Sequence, residues 1–339
     1  MVSGPGASLS EESTHDVADP AEGGVNGTTG KAKAIEGRSL RQIAWRRFKR
    51  DKVAMAGGVF VGFLVLVAIF ATPIVSLIGH PIDAFNNDLI DPTLGLPIGS
   101  FGGISGEHWL GVEPTSGRDV FSRIIFGAQT SIIVAFLAAT VSTIMGAILG
   151  LAAGFLGGWV DTTVSRIMDF LLAFPQLLFS IALVSVLPDS FFGLDGRVSR
   201  MAVLIGVIGF FGWPYIGRIV RGQVLSLRER EFIEASRSLG ARTGRILFRE
   251  LLPNLAAPIL VYTTLIIPTN IITEASLSFL GVGIEAPNPS WGGMLYDAKS
   301  YYQSDPMYMV IPGVCIFITV LAFNLFGDGL RDALDPKAH

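Results

Sequence analysis

Few side chains in this 339-residue sequence are suited to covalent chemistry. Serine hydrolysis needs a nucleophilic serine with a histidine base within hydrogen-bonding reach. The segment GISG places Ser105 between glycines in a way that superficially resembles a serine-protease motif, but all four histidines lie outside the long apolar segments: His15, His80, His108 and His339. We therefore expect no serine–histidine dyad within a membrane, and we interpret Ser105 as a loop residue.

Metal and redox chemistry are also disfavoured by the residue types present. Cys315 is the single cysteine and lies in an apolar run, which excludes a disulfide framework and a cysteine-based metal cluster. Because the histidines fall outside the apolar segments, we expect no intramembrane His or Cys metal site. The sequence predicts no bound metal for this chain.

Nucleotide hydrolysis is excluded by the lack of a phosphate-binding loop in the sequence. The nearest match, VNGTTGKA, has Val25 where the first glycine is required and Ala32 where Ser or Thr should follow Lys31. The chain is therefore predicted not to be an enzyme. Any energy from ATP has to be supplied by another chain.

The elements that position the remaining residues are predicted from composition and hydropathy. Half of the residues are apolar, 16% are charged and the mean hydropathy is +0.55, which is typical of an integral membrane protein. Residues 1–37 are rich in Gly, Ser, Thr, Asp and Glu, and we predict a disordered cytoplasmic tail. Six apolar runs approach the roughly 20 residues needed to cross a bilayer as a helix: 53–78, 131–155, 170–187, 201–216, 255–272 and 309–326.

The distribution of Lys and Arg predicts the orientation of these six spans. With a cytoplasmic N-terminus, the inner segments, counted from Arg38 and including the C-terminal end, hold eighteen Lys and Arg residues, and the outer segments hold five. Cytoplasmic loops of membrane proteins carry the excess of positive residues. Both termini, and a charged loop over residues 217–254, are thus expected in the cytoplasm.

This cytoplasmic loop contains the stretch EREFIEASRSLGARTGRILFRELLPN. Phe232, Ala235, Ser236 and Leu239 recur at helical spacing and form a narrow stripe of apolar or small residues. Gly240 then stands where a helix C-cap glycine with positive φ belongs, and a second helix is predicted to end at Pro253. Two interpretations remain open: helices lying on anionic lipid headgroups, or a docking helix presented to a cytoplasmic partner.

One motif in this stretch resembles that of a known family. The sequence Glu234-Ala235-Ser236-x-x-x-Gly240, followed by Leu252-Pro253, is similar to the EAA loop of bacterial ABC importer permeases. In that family the loop forms the coupling helix that sits on the ATPase subunit. The family usually has an apolar residue three positions before the proline, where this chain has Glu250.

Three further stretches narrow the resemblance to the dipeptide/oligopeptide/nickel permeases, and specifically to their C-type subunit. They are HWLGVEPTSGRDVFSRIIFGAQTSI (108–132), ASLSFLGVGIEAPNPSWGGML (275–295) and GDGLRDALDP (327–336). The usual Thr-Asp of the first stretch is replaced by Val112-Glu113. Together the motifs cover roughly residues 40–337, and we assign 38–337 as one permease domain. The resemblance implies an all-α membrane protein with the type I ABC importer permease fold: six transmembrane helices and a cytoplasmic coupling-helix loop.

The resemblance also implies the function and the partners. The chain is expected to be the transmembrane subunit of an ATP-driven importer of short peptides in the bacterial plasma (inner) membrane, working with a B-type permease, one or two ABC ATPase subunits and an extracytoplasmic substrate-binding protein. ATP and Mg would bind the ATPase subunits, and no cofactor or nucleic acid would bind this chain. Nickel, haem or glycosides remain alternative solutes, and an ion or solute channel subunit remains an alternative function.

The residues expected to serve coupling are Phe232, Glu234, Ala235, Ser236, Leu239 and Gly240. Glu274, an ionisable residue in an apolar segment, is expected either to face the translocation pathway or to make structural hydrogen bonds. Arg118, Asp119 and Trp291 are expected to make extracytoplasmic contacts, with a headgroup anchor as the alternative for Trp291. Gly146, Gly150 and Gly154 predict a close helix contact, either within the chain or with the partner permease.

Overall fold

A computed structural model describes residues 40–186 and 196–334 of the chain. The predicted disordered tail, residues 1–37, lies outside these ranges, as do the end of the predicted third span and residues 335–339. Within the described residues the chain is helical, with two isolated β-bridges, Ile90 with Pro97 and Val112 with Asp119, and no longer strand. The prediction of an all-α protein is confirmed for this part of the chain.

The helices follow one another along the chain, with one long segment between the third and the fourth, residues 79–119, that contains only a short 3-10 helix (Asn87–Leu89). We call it the outer segment because the sequence predicts that it is extracytoplasmic. In order they are α1 (Leu40–Arg50), α2 (Lys52–Ile69), α3 (Ala71–Ile78), α4 (Val120–Leu156), α5 (Gly158–Ala173), α6 (Gln176–Val186), α7 (Gly196–Leu227), α8 (Glu231–Ser238), α9 (Thr243–Arg245), a π-helix (Ile246–Leu251), α10 (Leu252–Phe279), α11 (Trp291–Ala298) and α12 (Pro306–Leu334).

Five helices of the described ranges are long and apolar enough to cross a membrane. They are Lys52–Ile69, Val120–Leu156, Gly196–Leu227, Thr243–Phe279 and Pro306–Leu334, and α5 with α6 makes a sixth if the pair is one broken span. The structure divides the predicted span 170–187 because α5 and α6 meet at an angle of 89°. Pro175 explains the break: the residue before a proline disfavours helical geometry, and Phe174 is extended at φ −79°, ψ 138°.

The glycine spacing in α4 serves packing within the chain. A Cβ added at Gly150 would lie 2.6 Å from the carbonyl oxygen of Gly217 in α7, and one added at Gly154 would lie 2.8 Å from Cβ of Val224. At Gly146 the added atom would lie 2.7 Å from Cβ of Ile216. Only glycine permits this close approach of α4 and α7. Of the two contacts predicted for Gly146, Gly150 and Gly154, the one within the chain is therefore correct for all three.

The fourth span and the coupling loop differ from their predicted bounds. The helix α7 runs well beyond residues 201–216 at both ends and carries Pro214 in its interior. Residues 217–227, which were predicted to be loop, therefore continue α7. The part of the predicted coupling loop that follows α7, residues 228–251, therefore begins directly at the end of a long helix, and we call it the coupling segment.

Candidate functional site

The coupling segment is a short helix closed by a glycine turn. Helix α8 ends at Ser238, and Gly240 has φ +76°. The amide of Gly240 donates to the carbonyl of Arg237 at 2.9 Å, and the amide of Ala241 donates to the carbonyl of Ser236 at 3.0 Å. These two bonds form a Schellman motif, in which a residue with positive φ satisfies the last carbonyls of the helix. The prediction that Gly240 takes a positive φ at the end of a helix is confirmed.

The predicted stripe of α8 points away from the body of the protein. Phe232 is 43% exposed and Leu239 is 88% exposed. Glu234 and Ala235 are exposed as well, and Ser236 is half-buried. We call Phe232, Ala235 and Leu239 the coupling face, after the role proposed for it below. Its apolar side chains are available to another surface, which is the arrangement required of a docking helix.

Ile233 attaches α8 to the rest of the chain, and sequence reasoning missed it. Its side chain is fully buried in a cluster that includes Val224 of α7, Ile246 and Leu251 of the π-helix, and Leu255 of α10. Burying an isoleucine side chain contributes on the order of 1.5–3 kcal/mol. The only sequence signal was a large apolar residue directly after Phe232, which lies about 100° round the helix from it and so outside the stripe that the spacing favoured.

Arginines connect the coupling segment to the end of α4, and α7 to the start of α5. The guanidinium of Arg237 lies 5.0 Å from the ring centre of Phe155, and Arg228 donates to the carbonyl of Gly154 at 3.0 Å. Arg221 of α7 makes a two-pronged ion pair with Asp161 of α5, with Nη2 2.8 Å from Oδ2. Arg237 thus joins α8 to the end of α4, Arg228 joins the turn after α7 to the same end, and Arg221 joins α7 to α5.

The second helix of the coupling segment does not end at Pro253, contrary to the prediction. Residues Thr243–Phe279 form one continuous helix, with the π-helix directly before Pro253. The proline stands in the first turn of α10, where a missing backbone N–H is tolerated. Asn254 donates its side-chain amide to the carbonyl of Glu250 at 2.6 Å. The coupling segment is thereby continuous with the predicted span 255–272.

The outer segment is held by a buried ion network centred on Glu113. This carboxylate is 1% exposed and pairs with Arg118, whose Nε is 2.6 Å from Oε2, and with Nε of Arg123. Tyr308 of α12 donates its hydroxyl to Oε1 at 2.9 Å. Asp297 of α11 is nearby: burial raises the pKa of its carboxyl, and the negative charge of Glu113 raises it further. The network joins the outer segment to α4, α11 and α12.

Of the three residues expected to make extracytoplasmic contacts, Asp119 and Trp291 are buried in this conformation and Arg118 is half-buried. Asp119 caps the N-terminus of α4, where Oδ2 accepts from the amide of Ser122 at 2.8 Å. Trp291 begins α11 and donates its indole N–H to the carbonyl of Ile124 at 3.1 Å. Because Trp291 is 1% exposed, it does not anchor to headgroups.

Glu274 is enclosed between three elements. Its side chain accepts hydrogen bonds from Ser131 of α4 and Ser278 of α10, each at 2.8 Å, and a third hydroxyl, that of Ser290 at the start of α11, also interacts with it. The residue is fully buried. The sequence left two roles open for Glu274, a place in the translocation pathway or structural hydrogen bonds. This conformation shows the structural hydrogen bonds.

Comparison with known proteins identifies the class to which this arrangement belongs. The family described as binding-protein-dependent transport system inner membrane component matches residues 146–339, and the N-terminal TM domain of oligopeptide transport permease C matches residues 39–92. The chain belongs to the binding-protein-dependent transport system inner membrane component family. It is therefore the multi-pass inner membrane component of such a system.

Individual relatives are similar over most of their length. The chain is 42% identical to the dipeptide transport system permease protein DppC of Alkalihalophilus pseudofirmus over 294 residues, covering 87% of this chain and 89% of the relative. It is 42% identical to the glutathione transport system permease protein GsiD of Pectobacterium atrosepticum, covering 86% and 90%. An inward-facing structure of the MetNI methionine ABC transporter aligns with 63% of this chain and 97% of its own, with 20% identity and a TM-score of 0.49.

Proposed function

We propose that this chain is the transmembrane subunit of an ATP-driven importer of short peptides. The observation that carries the proposal is the coupling face of α8, exposed on its apolar side and anchored by Ile233 on the other. A cytoplasmic helix that lay on lipid would not need the contact of Arg237 with Phe155 at the end of α4. A helix that receives a mechanical displacement needs such a contact, together with the buried Ile233.

The proposed mechanism follows from these contacts. An ATPase subunit closes on ATP and moves the coupling face seated in its groove. Ile233 passes the displacement to α7 and α10, because it is buried among their side chains, and Arg237 passes it to the end of α4 through its contact with Phe155. The long helices then change their packing against a second, B-type permease, and the pathway between the two permeases opens alternately to each side. Phe232 to Gly240 bind the ATPase but take no part in hydrolysis.

The remaining parts of the importer are separate chains. One or two ABC ATPase subunits hold ATP and Mg, and an extracytoplasmic binding protein delivers the solute. We place both termini in the cytoplasm, which is supported by the excess of Lys and Arg in the inner segments. In this orientation the Glu113 network is extracytoplasmic. Glu274 acts as a structural residue that holds α11 against α4 and α10.

Short peptides are proposed as the solute because the relatives named above carry dipeptide and glutathione in their names. We expect cells that express the complete importer to accumulate a labelled dipeptide or glutathione in an ATP-dependent manner, and unlabelled short peptides to compete. Deletion of this chain alone should abolish the uptake, whereas a chain with Glu107→Ala, an exposed outer residue, should restore it. Competition by nickel, haem or a glycoside, without competition by peptides, would contradict the proposed solute.

A further inference from the structure

Three side chains from separate parts of the sequence converge on the outer side of α4: His80, His108 and Asp119. His108 Nδ1 lies 2.8 Å from Asp119 Oδ1, and His80 Nδ1 lies 3.8 Å from the same oxygen. The two imidazole rings are stacked with their centres 4.4 Å apart. One atom from each residue can be chosen such that all three lie within 4.8 Å of one another.

One of these atoms is unsatisfied. Nδ1 of His80 is buried, although the side chain as a whole is 36% exposed, and it has no hydrogen-bond partner among the described residues. The 3.8 Å separation from Asp119 is too long for a hydrogen bond. Buried polar atoms of side chains almost always have a partner, so a lone pair left in this position points to a ligand.

Ser122 positions the other groups as supporting residues do in metal sites. Asp119 Oδ2 accepts from the amide of Ser122 at 2.8 Å and from its hydroxyl at 2.6 Å, which leaves Oδ1 directed at the two histidines. The hydroxyl oxygen of Ser122 also accepts from the backbone amide of His80 at 2.9 Å. Hydrogen bonds of this kind to a ligating carboxylate fix the orientation of the ligand before the metal arrives.

We propose that His80, His108 and Asp119 bind a divalent first-row transition metal ion, with Zn²⁺ as the representative. The ligands are Nδ1 of each histidine and Oδ1 of the aspartate, a donor set that suits Zn²⁺ and its neighbours rather than the oxygen-binding Ca²⁺ or Mg²⁺. Ligand distances of about 2.0–2.2 Å require the three side chains to draw together by small rotations. His108 then carries its proton on Nε2, and further coordination positions are filled by water.

The site has an entry path and a structural consequence. The partial exposure of His80 leaves its edge open to solvent, while Asp119 and His108 are buried. A metal bound there joins the end of α3, the outer segment and the N-terminus of α4. The first candidate span and the second are thereby tied together beside the Glu113 network, and the ion has a stabilising role rather than a catalytic one.

The test is Zn²⁺ binding by the purified full chain in detergent, freed of metal by chelation and carrying no polyhistidine tag. We expect one Zn²⁺ per chain by equilibrium dialysis and a rise in Tm of a few degrees on addition of Zn²⁺. His80→Ala should weaken binding by more than the roughly 10–100-fold that is typical when only a supporting residue is lost. His15→Ala, which changes a histidine far from the cluster in sequence, is the matched control and should bind as the wild type does.

Co²⁺ in place of Zn²⁺ gives a readout that reports the ligands themselves. We expect visible ligand-field absorption in the wild type and in His15→Ala, and its loss in His80→Ala. Absence of Zn²⁺ binding by the wild type would overturn the proposal, as would unchanged affinity in His80→Ala. If His80→Ala lowers the Tm by the same amount with and without Zn²⁺, His80 stabilises the protein through ring stacking alone. This result would also overturn the proposed metal site.

Discussion

Glu113→Ala should destabilise the outer half of this protein more than any other single substitution considered. The change leaves Arg118 and Arg123 without their common partner, and Arg123 is 1% exposed. Removing one member of a buried ion pair typically costs about 3–5 kcal/mol, because the remaining charge stays buried and uncompensated. The hydroxyl of Tyr308 loses its acceptor as well. We expect a strongly reduced amount of folded protein in the membrane and a lower Tm in detergent.

Two further variants separate the effect of charge from that of position. Glu107→Ala removes an exposed glutamate from the same outer segment and should leave the Tm nearly unchanged. Glu113→Asp keeps the charge with a shorter side chain and should give an intermediate Tm. If Glu113→Ala folds and melts as the wild type does, the network does not hold the outer segment, and the account of this region is wrong.

Gly240→Val should abolish most transport while leaving the protein in the membrane. A β-branched residue at φ +76° costs roughly 1–2 kcal/mol or more, and nothing within 4 Å blocks the new side chain sterically. The strain is relieved when the Schellman turn opens, which rotates the coupling face away from its partner. A shift of this size lowers the population of the docked geometry about 5–30-fold. Peptide uptake by the complete importer and membrane abundance are the quantities to measure.

The controls for this variant lie in the same loop. Gly244→Val places the same side chain in α9, where the backbone is helical and the surroundings are open, and it should transport nearly as the wild type does. Asparagine tolerates positive φ better than most residues other than glycine, so Gly240→Asn should retain part of the transport activity. Equal uptake by Gly240→Val and Gly244→Val would mean that the turn has no role in coupling.

The turn and the glycine stripe were predictable because local chemistry determines them. Only glycine takes positive φ without strain, so Gly240 marked the end of α8. The spacing of Gly146, Gly150 and Gly154 indicated a close helix contact, although it did not tell which helix would fill it. The six apolar runs predicted the spans in outline, since hydropathy reports the lipid environment directly.

Features that depend on tertiary contacts were missed. Trp291 looked like an interfacial residue but is buried against Ile124, because the stretch before it folds back onto α4. Ile233, the anchor of α8, is defined by the α7, π-helix and α10 residues around it rather than by its own spacing. The ion network of Glu113 joins positions far apart in sequence, and so does the cluster of His80, His108 and Asp119.

The central claim, that α8 seats on an ATPase, is tested most directly by photo-cross-linking in cells that express the complete importer. A photoreactive amino acid replaces Leu239, which is 88% exposed on the coupling face, and in a second strain it replaces Asp88, which is exposed in the outer segment. We predict that the Leu239 probe forms an ATP-sensitive adduct with the ATPase subunit and that the Asp88 probe forms none. An ATPase adduct from Asp88, or a Leu239 probe that labels only lipid while the importer is active, would contradict the orientation and the coupling role of α8.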